Sequence, residues 1–185
     1  MIGYAFCGSF CTAAESMKIL ALLSGNTELR PIVSGNFAST DTRFGKAAEL
    51  VTRIEEICGR RVIKTVAEAE PLGPAEPLEA LIIAPCTGNT LAKIAHGITD
   101  SSVTMAAKAH LRADRPLLVA LASNDAMSAN LENIARLSLR KNVYLVPMKQ
   151  DDPIKKPYSL VADFSLIPEA LNAAFEGRQL RPMFL

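Results

Sequence analysis

The sequence predicts an α/β fold with a mainly parallel sheet and helices on both faces. Two observations lead to this prediction. Short apolar runs, which are typical of buried strands, alternate along the chain with segments of helical periodicity. Runs such as Ala80-Leu-Ile-Ile-Ala84 are apolar at every position, as expected for a parallel strand covered on both faces. Strands that alternate with helices form layered α/β domains with right-handed crossovers.

In the first half of the chain, glycine and polar turn residues separate the elements. Gly8 and Ser9 end the first apolar run, Ser24-Gly-Asn26 stops the first helical pattern, and Gly59 stops the second. The predicted strands are residues 2–6, 31–34 and, more weakly, 61–64. The predicted helices are residues 13–23 and 45–58.

The second half begins after a loop at residues 71–77, where three prolines in seven residues predict a surface segment. We expect Pro85 to end the next strand and Gly97 to end the helix that follows it. The predicted strands are residues 80–84, 116–121 and 143–146, and the predicted helices are residues 89–96, 101–111, 126–139 and 168–176. Together they predict one three-layer domain of the Rossmann/flavodoxin-like type over residues 1–185, in which about 148–185 form a packed C-terminal extension.

Composition excludes several classes of protein. An apolar fraction of 49% with 21% charged residues excludes intrinsic disorder, and a formal charge of +1 excludes a general electrostatic binder of nucleic acids. No apolar run reaches the length of a membrane span, and the chain opens directly on a core strand, so we expect a cytoplasmic protein. The cysteines are scattered and the two histidines match no zinc spacing, which predicts reduced thiols and no metal site.

Ligands of such sheets bind beyond the carboxyl ends of the strands, so the turns that follow the strands are the candidate site. In the first turn, Gly8 permits a tight bend, and Ser9 and Thr12 place hydroxyls at a helix N-terminus, which suits an anion but is equally typical of ordinary capping. The second strand ends in Ser34 without the acidic residue of a dinucleotide site, which favours a phosphate and a mononucleotide such as FMN.

The third and fourth turns are also rich in small polar residues. Thr87 and Thr90 are candidates for capping or for anion binding, and Asn89 offers donors and an acceptor to a flavin's pyrimidine edge. Cys86 is expected to be inert, since no histidine is near it in the sequence. In the fourth turn, Asp125 is as consistent with a helix N-cap as with a ligand contact.

The segment Pro85-Cys-Thr-Gly-Asn-Thr90, with the later Gly97-Ile-Thr-Asp100, resembles a motif of flavoproteins related to FMN-dependent cysteine decarboxylases. In that family the corresponding loop lies against FMN. The resemblance implies that FMN is the cofactor, and that a phosphate or sulfate can take the place of its phosphate in protein without cofactor. The cofactor-binding residues it implies, together with the turns above, are Gly8, Ser9, Phe10, Ser34, Pro85, Thr87, Asn89, Thr90, Ser123 and Met127.

A closer resemblance, to the family of dipicolinate synthase B subunits, covers nearly the whole chain. It rests on Gly8-Ser-Phe-Cys-Thr12, Thr87-Gly-Asn-Thr-Leu-Ala-Lys93, Met105-Ala-Ala-Lys108 and Gln150-Asp-Asp-Pro-Ile-Lys-Lys-Pro157. It implies a partner, the dipicolinate synthase A subunit, and conversion of a dihydrodipicolinate-level precursor to dipicolinic acid in the mother cell of a sporulating bacterium. The wider family implies a trimer-based homo-oligomer.

The remaining assignments concern the substrate. A small dicarboxylate needs cationic partners, for which the candidates are Arg43, Lys155 and Lys156. The candidate catalytic residues are Asn89 and Asp100. The family's decarboxylases use a histidine before the Pro/Gly-rich loop, and residues 40–70 contain none. Two alternatives stay open: a flavin-dependent decarboxylase of a cysteine-containing substrate, and a non-catalytic scaffold for the A subunit.

Overall fold

The computed structural model describes residues 1–73 and 75–185 and contains a seven-stranded sheet. Its strands are β1 (Ile2–Phe6), β2 (Leu29–Val33), β3 (Leu81–Cys86), β4 (Leu117–Ser123), β5 (Val143–Leu145), β6 (Met148–Lys149) and β7 (Leu160–Ala162). Its helices are α1 (Phe10–Ser24), α2 (Gly35–Ser39), α3 (Ala47–Cys58), α4 (Val66–Ala69), α5 (Gly88–His96), α6 (Ser102–Arg112), α7 (Leu131–Ser138) and α8 (Ile167–Phe175).

Five of the strands are parallel and lie in the order β2-β1-β3-β4-β5. This is the flavodoxin-like order, and it confirms the predicted α/β architecture. The chain moves outward from β1 to β2 and then crosses back to β3 on the other side of β1. The connections that follow β1 and β3 therefore run in opposite directions along the sheet, and a crevice opens at the switch point between the two carboxyl ends.

The far edge of β4 has two partners of opposite direction. Residues Leu117, Leu118 and Val119 pair with parallel β5, whereas Ala122 and Ser123 pair with antiparallel β7, which in turn pairs with β6. The sequence pattern predicted neither β6 nor β7, because strands of two and three residues are too short to show a period. The predicted start of a C-terminal extension near residue 148 stays a prediction.

Two layers of helices cover the sheet. Helices α1, α2, α3 and α8 pack on one face, and α4 to α7 pack on the other. The central strands β1, β3 and β4 are buried at nearly every position, which explains their unbroken apolar runs. Among the described residues no helix has the length and hydropathy needed to cross a membrane.

Several predicted boundaries were wrong. Pro85 does not end its strand, because β3 continues to Cys86 through a shift in its register with β4. The predicted strand at residues 61–64 is reduced to a single bridge from Ile63 to Ile32. The helix predicted from residue 126 begins at Leu131, because residues 125–130 form a hydrogen-bonded turn.

The proline-rich loop predicted at residues 71–77 is only partly a surface segment. A 3₁₀ turn spans Glu70–Leu72, and Leu72 is fully buried. A Cβ on Gly73 would lie 2.8 Å from the carbonyl carbon of Ala109, so the loop backbone packs directly on α6. Pro74 lies outside the described residues.

Candidate functional site

A cleft of about 520 Å³ lies over the carboxyl ends of β2, β1 and β3, where the switch point predicts a ligand. It is lined by Gly8, Ser34, Gly35, Asn36, Lys64, Thr65, Val66, Thr87, Asn89, Thr90, Lys93, Asp100, Ser101 and Ser102. Five residues predicted from the turns thus come together here: Gly8, Ser34, Thr87, Asn89 and Thr90. Asp100 also lies in this cleft.

Three helices start at the cleft, each behind a hydroxyl side chain. Ser34 Oγ accepts a hydrogen bond from Phe37 N at 3.3 Å, at the start of α2. Thr87 Oγ1 accepts from Thr90 N at 3.2 Å at the start of α5, and Ser101 Oγ accepts from Thr104 N at 3.2 Å just before α6. The remaining first N–H groups of a helix have no partner within it, and the helix dipole adds positive potential. The cleft is therefore suited to an anion.

The first turn contributes less to the cleft than predicted. Gly8 lines it, but Ser9 and Phe10 do not belong to its wall. Ser9 Oγ accepts a hydrogen bond from Thr12 Oγ1 at 3.0 Å. The Phe10 ring stacks on Phe37, with the centroids 5.9 Å apart and the planes 10° apart. The Phe10 ring therefore lies beside Gly8 and Phe37, next to the cleft wall but not part of it.

Two cysteines lie beneath the cleft at the ends of β1 and β3. Cys7 and Cys86 are both buried, and burial raises the pKa of the Cys7 thiol to about 11. Burial, together with the nearby Cys7, raises the pKa of Cys86 well above its usual value. Both side chains are therefore neutral thiols at physiological pH, in agreement with the expectation that Cys86 is inert. Pro85 is buried beside it and does not line the cleft.

Asp100 and Lys93 form an ion pair at the mouth of the cleft. Lys93 Nζ lies 2.9 Å from Asp100 Oδ1 and 2.7 Å from Oδ2. The hydrogen bond from Lys93 holds the pKa of Asp100 below its usual value. A carboxylate held in this way is a poor general base near neutral pH. Asn89 has an exposed side chain on the cleft wall, where its amide is accessible to a ligand.

The fourth turn forms a chain of hydrogen bonds outside the cleft. The Ser123 hydroxyl donates to Asp125 Oδ1, which also accepts from Asn130 Nδ2 at 3.0 Å. Asn130 Oδ1 then accepts from Asn133 Nδ2 at 3.0 Å, and Asn133 Oδ1 lies 3.1 Å from His96 Nε2. The hydrogen bonds from Ser123 and Asn130 lower the pKa of Asp125. Ser123, predicted to bind cofactor, is thus engaged by Asp125 and does not line the cleft.

Gly88 lies between this series of hydrogen bonds and the cleft-lining residues Thr87 and Asn89. A Cβ at Gly88 would lie 2.5 Å from Asn130 Nδ2 and 2.8 Å from Asp125 Oδ1. The first turn of α5 therefore rests directly on the fourth turn, and a larger residue at position 88 would require these hydrogen-bonded side chains to move. Asp125 therefore supports α5. It is not the N-cap suggested by the sequence, because α7 begins at Leu131 with Asn130 as its N-cap.

Four other predicted residues are not part of the cleft wall. Met127 lines a separate apolar groove with Leu131, Met148, Leu160 and the C-terminal residues. The guanidinium of Arg43 lies 4.8 Å from the centre of the Phe44 ring. Lys156 pairs with Asp151, and its neighbour Lys155 is exposed on the same loop. The structure therefore does not place Met127, Arg43, Lys155 or Lys156 in the wall of the cleft.

Part of the cleft wall comes from residues at the starts of α4 and α6 and was not predicted from the sequence. Lys64, Thr65 and Val66 line it from the segment that lacks a histidine. A signal was present, because Thr65-x-x-Glu68 is a capping-box pattern, and the structure forms that box. Neither histidine reaches the cleft: His96 belongs to the chain of the fourth turn, and His110 is buried 2.8 Å from the carbonyl oxygen of Pro116.

The profile of a family described as "Flavoprotein" matches residues 11–164. The chain belongs to this flavoprotein family. It is 44% identical over all of its 185 residues to the dipicolinate synthase B subunit of Bacillus subtilis (strain 168), of which it covers 92%. At that identity and coverage it also belongs to the family of dipicolinate synthase B subunits, so both resemblances seen in the sequence are confirmed.

Solved structures agree with this assignment. The dipicolinate synthase B subunit from Bacillus halodurans C superimposes with a TM-score of 0.91, at 39% identity over 100% of this chain and 95% of that chain. The FMN-dependent cysteine decarboxylase SpaF superimposes with a TM-score of 0.68, at 25% identity over 94% of this chain and 95% of that chain. The family supports a flavin-related role and a flavin cofactor.

Proposed function

We propose that this protein is the B subunit of a dipicolinate synthase and that it binds FMN in the cleft at the β1/β3 switch point. Together with the A subunit of that enzyme, it converts a dihydrodipicolinate-level precursor to dipicolinic acid, in the mother cell of a sporulating bacterium. The observation that supports this most strongly is the coincidence of two findings. Identity to a dipicolinate synthase B subunit extends over the whole chain. Residues of three turns that follow strands, Gly8, Ser34, Thr87, Asn89 and Thr90, line one cleft.

The residues of the cleft fit a phosphate-bearing cofactor. Ser34 and Thr87 place hydroxyls and helix N-termini on either side of Gly8. A Cβ on Gly35 would have no heavy atom within 4 Å, so there is open space above the start of α2. A phosphate in this space would accept hydrogen bonds from N–H groups at the starts of α2 and α5 and from the hydroxyls of Ser34 and Thr87. Asn89 is then placed to donate to and accept from the polar edge of a ring system.

When bound, FMN would supply a two-electron acceptor for the hydride that leaves a dihydropyridine ring as it becomes aromatic, and repeated turnover would require an external two-electron oxidant to regenerate the oxidised flavin. The residues of this chain orient the ring and balance charge. Lys93 and Asp100 form an ion pair, and the hydrogen bond from Lys93 favours the ionised form of Asp100. The described cleft residues include no histidine, so the proton that leaves the substrate passes to water, to the A subunit or to a neighbouring copy in a trimer-based assembly.

The test is a coupled assay with the purified A subunit from the same organism. The B subunit is freed of flavin, and dipicolinate formation is measured with only the A subunit, with both subunits, and with both subunits plus FMN. The proposal predicts that formation depends both on FMN and on the B subunit. Full activity from the A subunit in isolation contradicts a catalytic role.

Two further outcomes separate the alternatives. Stimulation by the B subunit that is independent of FMN indicates a scaffold. Release of carbon dioxide from a cysteine-containing peptide, without dipicolinate formation, indicates a decarboxylase. The absence of a cleft histidine among the described residues argues against that second activity.

A further inference from the structure

One wall of the cleft is formed by residues 64–66, which lead from the edge of the sheet into the start of α4. Ile63 N donates to the Pro31 carbonyl at 2.9 Å, and Val33 N donates to the Ile63 carbonyl at 2.8 Å. Two residues later, Thr65 Oγ1 accepts from Glu68 N at 3.2 Å in the capping box of α4. Lys64 lies between these two anchored residues, so its backbone is fixed at the rim of the cleft although its side chain is exposed.

Lys64 is the cation of this cleft whose charge remains available. Two lysines line the described cleft, and Lys93 is engaged by both oxygens of Asp100. Glu68 is the acidic side chain beside Lys64, but its Oε2 accepts from the backbone N–H groups of Lys64 and Thr65, each at 3.0 Å. Over residues 1–73 and 75–185, no carboxylate forms an ion pair with Lys64 Nζ.

The wall that carries Lys64 differs from the end that suits a phosphate. Gly8, Ser34 and Thr87 follow β1, β2 and β3, and the helix N-termini there suit a phosphate without a lysine. Lys64 instead follows the outer bridge of the sheet, and α4 packs against α6. The start of α6 is fixed close by, because the Ser102 hydroxyl donates to the Val33 carbonyl at 2.6 Å. Lys64 and the start of α6 line the same cleft, which makes them candidate partners for a second anion.

We propose that Lys64 binds a carboxylate of the substrate, a planar ring dicarboxylate, and so contributes to substrate specificity. This inference rests on the proposed function and names the residue that recognises the substrate's charge. It replaces Arg43, Lys155 and Lys156, which the sequence suggested for this role and which lie outside the cleft wall. The lysine acts as a point charge, while the helix N-terminus supplies directed N–H donors.

The experiment measures two affinities for each variant: FMN for the flavin-free protein, and dipicolinate, the proposed product, for the FMN-loaded protein. The variants are Lys64→Gln and Lys64→Arg. The matched control is Lys108→Gln, which removes the same charge from an exposed position within α6. Lys64→Gln is expected to raise the Kd for dipicolinate about tenfold, as for loss of one charge-assisted hydrogen bond, and to change the Kd for FMN less than twofold.

Lys64→Arg is expected to restore most of the dipicolinate affinity, and Lys108→Gln to leave both affinities unchanged. Unchanged dipicolinate affinity in Lys64→Gln overturns the inference and leaves the proposed function standing. A loss of FMN affinity in place of dipicolinate affinity also overturns it, because Lys64 then contacts the cofactor phosphate. If the FMN-loaded wild type binds no dipicolinate, the proposed function and this inference both fail.

Discussion

The two halves of the sheet's carboxyl edge differ in what they present to a ligand. Over β2, β1 and β3, all strands are parallel, and the turns that follow them meet in one cleft. Over β4, the parallel partner β5 stops at Leu145 and the antiparallel β7 takes its place. There the turn residues bond to one another or line a separate apolar groove that includes Met127.

The difference shows where the rule applies that ligands bind beyond the carboxyl ends of the strands. The rule needs consecutive parallel strands, because only then do successive turns and helix N-termini point to the same side. Where β7 reverses the direction, the space beyond the end of β4 is filled by the chain itself: Met127 N donates to the Tyr158 carbonyl at 2.9 Å. The loop that carries Lys155 and Lys156 therefore covers the fourth turn and leaves the cleft open.

The largest expected effect comes from placing a negative charge in the parallel half. Ser34→Asp keeps an N-cap for α2, since aspartate caps as well as serine, but its carboxylate faces the expected phosphate. We expect the Kd for FMN to rise about 100-fold, measured by flavin fluorescence. The control is Ser34→Asn, whose side chain has the shape of aspartate but no charge and also caps a helix. It should bind FMN within a few-fold of the wild type. Equal affinities of the two variants would place the phosphate elsewhere.

The contact between the two halves is tested at Gly88. Gly88→Ala brings a methyl group into the side chains of Asn130 and Asp125, and we expect unfolding free energy to fall by about 1–3 kcal/mol. Gly35→Ala, at the first position of α2, meets open space and should change stability by less than about 1 kcal/mol. Chemical denaturation measures both. A Gly88→Ala protein as stable as Gly35→Ala would show that the fourth turn does not support α5.

A smaller, pH-dependent effect is expected from His110, near the end of α6. Burial lowers the pKa of His110 in the folded protein below its usual value of 6.5. The unfolded chain therefore binds a proton that the folded chain does not, so stability is lost as pH falls below about 6.5. We expect His110→Gln to remove this part of the pH dependence, which is a change in unfolding free energy of no more than about 1 kcal/mol between pH 7 and 5.5. An unchanged slope of stability against pH in His110→Gln would contradict the prediction.

The smallest effect is expected in the antiparallel half. The double variant Lys155→Gln/Lys156→Gln removes two charges from a loop that lies outside the cleft wall. Affinity for FMN and for dipicolinate should stay within twofold of the wild type, measured by the same titrations as for Lys64→Gln. A tenfold loss would show that this loop reaches the ligand in solution or in a homo-oligomer.

Features that depend only on neighbouring residues could be predicted from the sequence. Buried runs, helix caps and the turn residues Gly8, Ser34, Thr87 and Thr90 were found, since their signals lie within a few neighbouring residues. Lys64 was missed because its position depends on the bridge between Ile63 and Ile32, a contact between distant segments. Periodicity alone carries no information on such pairs.

The helix predicted from residue 126, after the fourth turn, was wrong for a different physical reason. Residues 126–139 have helical periodicity, but the first part of that segment follows Asp125, whose backbone carbonyl accepts from Asn130 N at 3.1 Å and whose carboxylate accepts from Asn130 Nδ2. Side-chain hydrogen bonds of Asp and Asn compete with the helix and delay its start to Leu131. Met127 consequently lies in a turn and is exposed beside the apolar groove.

The most direct test of the central claim is a titration of the flavin-free wild-type protein with FMN, followed by removal of the excess and measurement of visible absorption. The chain contains no tryptophan, so the flavin's signal is easily separated from that of the protein. The account predicts one retained FMN per chain. A folded protein that retains no FMN, whether or not the A subunit is present, would contradict the claim that the cleft between β1 and β3 is a flavin site.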